Sequence, residues 1–408
     1  MEDKSIYKLG DVCDLITDGK HGDCQDEENS GYYFLSAKDV FDGKLNYERG
    51  RQITKADFLD THRRTRLSPG DILITNSGSI GRMAIAQDQP LTHQTTFQKS
   101  VAILKPKSSI VFGQYLYYEL LALNPILIDI AVGSAQTNLL LGDLRKFKIS
   151  VPNLIIQKHI ASILSAYDEL IEVNNQRIQV LEETARQLYK EWFVRMRFPG
   201  YKNAKFEKGI PEGWEVKSLY EIAEVTYGYP FKSELFNENS QGLPVIRIRD
   251  LLEGATNTYT PEIADDKYYV LDGDILVGMD GEFHFCKWAG VKAWINQRNV
   301  RFRPKLKTDI SKYFLYHVLK PQIEFLNEII VGTTVAHLSA LDLKKLRFLI
   351  PQKELLKRFK LISDPIFEQE IILKKQNTQL RQIRDRLLPR LISGKLKVKA
   401  ATEELICP

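Results

Sequence analysis

The chain has 408 residues, 43% of them apolar and 27% charged, with a formal net charge of +5. That length supports two or three domains with proper cores, and the composition is that of an ordinary folded globular protein. No window approaches eighteen uncharged apolar residues, which excludes a helical membrane span, and the mild positive charge is compatible with a nucleic-acid partner without requiring one.

In chain order, the N-terminal MEDKSIYKLG lacks the apolar stretch of a secretory signal. Cys13, Cys24, Cys286 and Cys407 are few and scattered, which points to a reducing cytoplasm. Residues 71–75 (DILIT) and 82–86 (RMAIA) are predicted strands flanking a Gly/Ser turn, NSGSIG, at 76–81. A third strand at 100–104 (SVAIL) precedes Lys105-Pro106, and a short amphipathic helix is expected around 113–123. Residues 154–195 contain no Gly or Pro. Their apolar positions, Ile160, Ile163, Tyr167, Leu170, Ile178, Leu181, Ala185, Leu188 and Trp192, follow the 3–4 spacing of a coiled-coil seam with a hitch at Asn174. Pro199-Gly200 ends that helix.

The same series then repeats. Strands are expected at 274–279 and 283–288, joined by Asp280-Gly281 as a tight type I′ hairpin turn. A strand at 299–303 and a helix at 311–320 follow. The last long segment, 354–393, shows Phe359, Ile362, Ile366, Leu373, Leu380, Ile383, Leu387 and Leu391. Asp364-Pro365 reads as an N-cap followed by Pro, so a short helix is expected before the long one, with a kink at Pro389 and an end at Gly394.

The repetition reaches individual motifs. LSPGDIL at 67–73 is answered by VLDGDIL at 270–276, and LRKFKISVP at 144–152 by LKKLRFLIP at 343–351. The offset drifts only from 210 (Leu9 to Leu219) through 203 (Gly70 to Gly273) to 199 (Pro152 to Pro351). A repeat of this length is a duplicated domain and not a solenoid. The expected architecture is α+β: two β-rich modules (1–153 and 198–352), two long helices (154–197 and 353–396) and a tail (397–408). If duplicates pack about a pseudo-twofold, the helices run antiparallel.

No catalytic motif emerges. There is no GxxxxGK[ST], the Gly78–Gly81 turn lacks a following helix, and the seven His residues include no HExxH. Asn124-Pro125 is followed by Ile126-Leu127, unlike an amino-methyltransferase site, and Cys13 and Cys24 lack zinc-ligand spacing. His284 and Cys286 share a predicted strand face, without further ligands. The chain is expected to have no catalysis and no cofactor or metal of its own.

Polar loops carry the positive signal. The first half offers Lys20, His21, Asn76, Ser77, Ser79, Arg82, Gln94, Thr95, Ser134, Gln136 and Thr137. The second offers Tyr229, Lys232, Arg247, Arg249, Asp280, Asn296, Gln297, Arg298, Thr333, Thr334 and His337. Asn, Gln and Arg can pair with base edges, while Lys, Ser and Thr can position phosphates. For any one of them a loop-capping role is as good an account; the signal is their recurrence at matched places in both halves.

SAYDELIEVNNQRIQVLEETARQLYKEWFVR at 165–195 resembles the central conserved region of specificity subunits of Type I restriction–modification enzymes, and LRQIRDRLLPRLISGKL at 380–396 resembles their C-terminal conserved region. GWEVKSLYEIAEV at 213–225, the two GDIL segments and GSAQTNLLLGDLRKFKISVP at 133–152 are also similar. The resemblance implies two target-recognition domains, each reading half of a split double-stranded DNA site. It also implies antiparallel helices that set the gap and dock two methyltransferase subunits, through which restriction/translocase subunits join. Those partners, not this chain, would use S-adenosylmethionine, ATP and magnesium. Leu170, Ile171, Leu188 and Trp192, too many for one two-helix seam, are the expected docking residues. Two departures stand out: the first half lacks the Pro-x-Gly-Trp of 211–214, and the Gly/Ser turn becomes Met279-Asp280-Gly281-Glu282 in the second, so the halves should read different sequences. A coiled-coil scaffold and the recognition part of a fused methyltransferase–nuclease are the alternatives.

Overall fold

The computed structural model describes residues 4–41, 43–131, 138–330 and 336–398. The chain divides into two compact units, Met1–Glu169 with Arg381–Pro408, and Leu170–Leu380. Each unit therefore takes one module together with part of each long helix. No described helix is long and apolar enough to cross a membrane.

The first unit is built on a four-stranded antiparallel sheet in the order Cys13–Asp18, Val101–Pro106, Ile72–Thr75, Met83–Ile85. Tyr33–Leu35 and Thr95–Phe97 form a parallel pair beside it. Ser5–Lys8 pairs with Lys148–Val151, tying the chain start to the strand that feeds the first long helix. The second unit repeats this plan. Its sheet runs Ala223–Tyr227, Asn299–Pro304, Ile275–Gly278, Phe285–Lys287, its parallel pair is Leu243–Ile246 with Ala293–Ile295, and Glu215–Ser218 closes against Arg347–Ile350. The closing pair is the same although the first half lacks the Pro-x-Gly-Trp, whose Pro211 belongs to an additional short pair, Phe206–Glu207 with Ile210–Pro211, in the second.

The GDIL repeat has a local physical cause. Gly70 and Gly273 sit at φ +86° and +77°, a left-handed turn that any Cβ would strain. The next residue, Asp71 or Asp274, is buried and accepts from the backbone N–H three residues earlier, Ser68 or Leu271. Each carboxylate also meets a cation from the neighbouring strand: Lys105 in the first unit, and Arg303 through two 2.6 Å bonds in the second. The Ile-Leu that follows fills the two faces of the sheet, Ile72 and Leu73 falling in different core clusters.

The long helices are Leu154–Tyr189, closed by a π-turn over Lys190–Val194, and Lys353–Ile392. They run antiparallel in both units. In the second, Asn174 Nδ2 donates to Asn377 Oδ1 at 2.9 Å while Trp192 packs on Phe359; in the first, Arg384 pairs with Asp168 at 2.5 Å. The hitch at Asn174 is thus a buried amide layer.

Several sequence expectations need correction. The seam of the first helix runs through Ile160, Leu164, Ile171, Asn174, Ile178, Ala185 and Trp192, so Ile163 and Leu170 face outward. Heptad spacing tolerates either register, and the partner helix decides. The second long helix is continuous through Pro365 and Pro389. Phe359, Phe367 and Ile371, on both sides of Pro365, are held in one core, and that packing outweighs the lost hydrogen bond. Likewise Lys312–Ile330 continues past Pro321. Asp280-Gly281 is not a two-residue hairpin: the strands end at Gly278 and resume at Phe285, and the loop is tied instead to residues 336–338. Gly394, at φ +75°, ends the helix as expected.

Candidate nucleic-acid interface

In each unit, four loop segments meet at one end of the four-stranded sheet. In the first unit, Gly19 passes so close to Phe97 that a Cβ would lie 2.0 Å from its carbonyl oxygen. Lys20 N–H donates to Phe97 O and Lys99 N–H to Lys20 O, stitching loop 19–21 to loop 98–100. Asn76 N–H donates to Ser100 O, Leu139 N–H donates to Asn76 O, and Ser77 bridges Asn138. The second unit repeats this wiring. Gly228 approaches Asn296 O as closely (1.9 Å for a built Cβ), and Gln297 N–H donates to Tyr229 O. Met279 N–H donates to Arg298 O, Gly281 N–H to Ala336 O, and Asp280 bridges His337.

The side chains on this common frame differ. In the first unit Lys20 pairs with Asp57 at 3.1 Å and Asp60 at 3.6 Å, and the Asp57 hydrogen bond raises its pKa. His21 and Arg64 both meet Asp18. Ser79 and Arg82 are exposed on the hairpin loop, Arg82 lying 5.8 Å from the Phe41 ring. Asn76 is buried, and its Oδ1 has no partner among the described residues. In the second unit Asp280 is clamped between His337 Nδ1 at 2.6 Å and Arg298 at 3.4 Å, with Arg298 held at φ +72°. Gln297 and Arg298 are exposed.

Not every residue singled out from sequence reaches these ends. Thr95 is fully buried and donates its hydroxyl to Leu91 O, which is a packing role; Gln94 lies at the far end of strand Thr95–Phe97 from Gln98. Arg247 turns inward, onto Thr258 Oγ1 at 2.5 Å and the Phe236 ring, whereas Arg249 is exposed. Lys232 is exposed and its backbone N–H donates to Glu262. Ser134, Gln136, Thr137, Thr333 and Thr334 lie outside the described residues. Sequence reasoning missed Gln98-Lys99, which the backbone wiring makes equivalent to Asn296-Gln297, 198 residues further on. The repeat offset would have pointed to them.

The expected docking residues also need revision. Trp192 is 8% exposed, stacked edge-on against Phe193 and Phe359, Ile171 is buried, and Leu188 packs on the same core. Only Leu170, 52% exposed, is open. Within the second unit the apolar side chains that face outward are Leu170, Val173 and Val180 on the first helix and Leu361, Ile362 and Ile372 on the second. Among the described residues no group of three or more His, Cys, Asp or Glu is arranged to hold a metal ion.

The sequence model of the Type I restriction modification DNA specificity domain matches residues 1–183 and again 211–382. The specificity subunit of the MjaIX Type I restriction enzyme from Methanocaldococcus jannaschii is 31% identical over 351 residues, 81% of this chain and 78% of that protein. The MjaVIII specificity subunit from the same organism is 28% identical and covers 98% of this chain and 94% of its own length. Among solved structures, the S subunit of a Type I system from M. genitalium shares the fold, with a TM-score of 0.58 at 17% identity and 96% of both chains covered. With a duplicated specificity domain, the same plan in both units and relatives matched over most of their length, this chain belongs to the family of DNA sequence-specificity subunits of Type I restriction–modification systems.

Proposed function

We propose that each unit reads one half of a bipartite double-stranded DNA site with this looped end of its sheet, and that the long helices set the gap. The observation that carries this reading is one backbone frame with two different sets of side chains. Lys20, His21, Ser77, Gln98, Lys99 and Asn138 line the first; Tyr229, Asp280, Gln297, Arg298 and His337 line the second. A shared frame supports the same docking geometry, and different donors and acceptors support different base preferences. The outward Leu170, Val173, Val180, Leu361, Ile362 and Ile372 suit docking of methyltransferase subunits, with restriction/translocase subunits joining through them. The chain then supplies no chemistry itself; S-adenosylmethionine, ATP and magnesium are used by the partners, in the cytoplasm.

Mapping methylated bases genome-wide, after co-expression with a cognate methyltransferase subunit, tests this directly. The map should show two short half-sites separated by a fixed gap. Arg298→Ala should relax one half-site only, and Lys99→Ala should touch only the other. Uniform weakening over all sequences would assign these residues to phosphates, and a single continuous site would overturn the bipartite reading.

A further inference from the structure

The core of the second unit holds a charge network that nothing in the recognition loops explains. Lys287, on strand Phe285–Lys287, has a side chain only 4% exposed, with its ammonium 2.8 Å from Glu182 of the first long helix and 2.6 Å from Glu370 of the second. It also lies over the faces of Tyr313 and Tyr316, at 5.1 and 4.5 Å. Glu370 is fully buried and accepts from the Tyr313 hydroxyl and from Lys374. Burial pulls the Lys287 ammonium below the ordinary lysine range; burial works against ionisation of Glu182, yet Lys287 and Lys374 hold it down at about 2. Two cations and two anions balance, so removing one leaves an uncompensated charge inside.

The first unit solves the same junction differently. By strand register Lys287 stands opposite Ile275, and the residue opposite the matching Ile72 is Ile85, which is buried in the apolar core with Ile160, Leu164 and Leu391. Glu370 follows Asp168, and Arg384 follows Glu182, by the same 202 residues that separate Asn175 from Asn377. Where the second unit has two glutamates and an intruding lysine, the first has an Asp168–Arg384 pair at 2.5 Å, with the Tyr118 hydroxyl on Asp168.

We propose that Lys287 is a positioning residue, the key that seats the second recognition module on its helix pair, and that the two module–helix junctions are not interchangeable. Lys287 is complementary to Glu182 and Glu370. An apolar residue at that place is complementary to an Asp–Arg pair. A module moved from one position to the other therefore keeps its aim only if its junction residues move with it.

The test uses the full chain assembled with its methyltransferase subunit, and it rests on the recognition reading for its second readout only. Lys287→Ile should strip hydrogen-exchange protection from Phe285–Lys287 and Lys312–Ile330 while leaving Ile72–Thr75 unchanged. In the methylation map it should lower discrimination in one half-site by at least tenfold, with the other half-site intact. Lys287→Ile combined with Glu182→Arg, Glu370→Asp and Lys374→Glu, the last matching Glu172 by the same 202 residues, installs the junction of the first unit and should restore both protection and discrimination. Protection unchanged in the single variant, or no recovery in the fourfold variant, overturns the proposal. Protection lost with both half-sites still sharp reduces Lys287 to a stabilising residue and overturns the positioning claim. If the wild-type complex shows no bipartite map, the recognition reading fails, while the exchange readout still decides the junction.

Discussion

At the residue scale, the buried carboxylates of the two GDIL turns do structural work. Asp274 satisfies a turn amide and the guanidinium of Arg303 at once. Asp274→Ala should cost roughly 3 kcal/mol in urea unfolding, because it strands a partly buried cation and an amide. A loss below half a kcal/mol would show that solvent reaches Arg303 freely. His317 is a pH-sensitive residue. It is stacked between Tyr189 and Tyr313, its Nε2 has no partner among the described residues, and burial pushes its pKa down to about 3. An unfolded histidine titrates near ~6.5. The folded value is the lower one, so its contribution is fully present above ~6.5 and is lost as pH falls from there toward 3, by at most about 5 kcal/mol. His317→Phe should shift the acid-unfolding midpoint to lower pH with little change at pH 8. An unmoved midpoint would place the acid sensitivity elsewhere.

At the element scale, the long helices are paired by polar layers and not by apolar seam alone. The Asn174–Asn377 layer and the Glu182–Lys287–Glu370 layer fall on either side of residue 180. Four residues inserted near Val180 in one helix add about 6 Å. That insertion pulls one layer out of register with the other, so it should destabilise the second unit. Seven residues inserted in both helices, after Val180 and after Leu373, preserve the heptad phase and should be tolerated. On the proposed function, the methylated half-sites should then keep their sequences while the gap grows by about three base pairs, from ~10 Å of added helix at ~3.4 Å per pair. An unchanged gap with activity retained would mean that the partner subunits set the spacing. Pro365 offers a simpler check: it is exposed within a continuous helix, so Pro365→Ala should raise the melting temperature by restoring one hydrogen bond. A fall would show that Pro365 helps place Phe359 and Phe367.

At the scale of the whole molecule, duplication governs the expectations. Two outward-facing apolar helix surfaces and two module–helix junctions suit two copies of one partner. Native mass measurement with excess methyltransferase subunit should give two such subunits per chain; saturation at one would contradict the proposed docking. On the proposed function, a net charge of only +5 predicts weak, salt-sensitive DNA binding by the isolated chain, which a titration across salt concentrations measures.

Whatever local chemistry controls was legible in the order of residues. Gly70-Asp71 and Gly273-Asp274 demand a left-handed turn and a capped strand wherever they occur, residues 154–189 lack any helix breaker, and the repeat offset reveals two copies of one plan. The sequence motifs also carried the family, since they recur over most of the chain. Tertiary structure decided whatever depends on a distant partner. Which apolar helix residues face inward was settled by Asn377, Arg384 and Phe359, more than two hundred positions away in two of the three pairings. The loop at Asp280 opened because His337 and Ala336 hold it, against its own preference for a tight turn. Thr95 and Trp192 read as surface residues until burial claimed them, and Lys287 read as an ordinary strand lysine until two helices brought carboxylates to it. Propensity acts within about one turn of chain, whereas burial and charge pairing are decided by whatever the fold brings within a few ångströms.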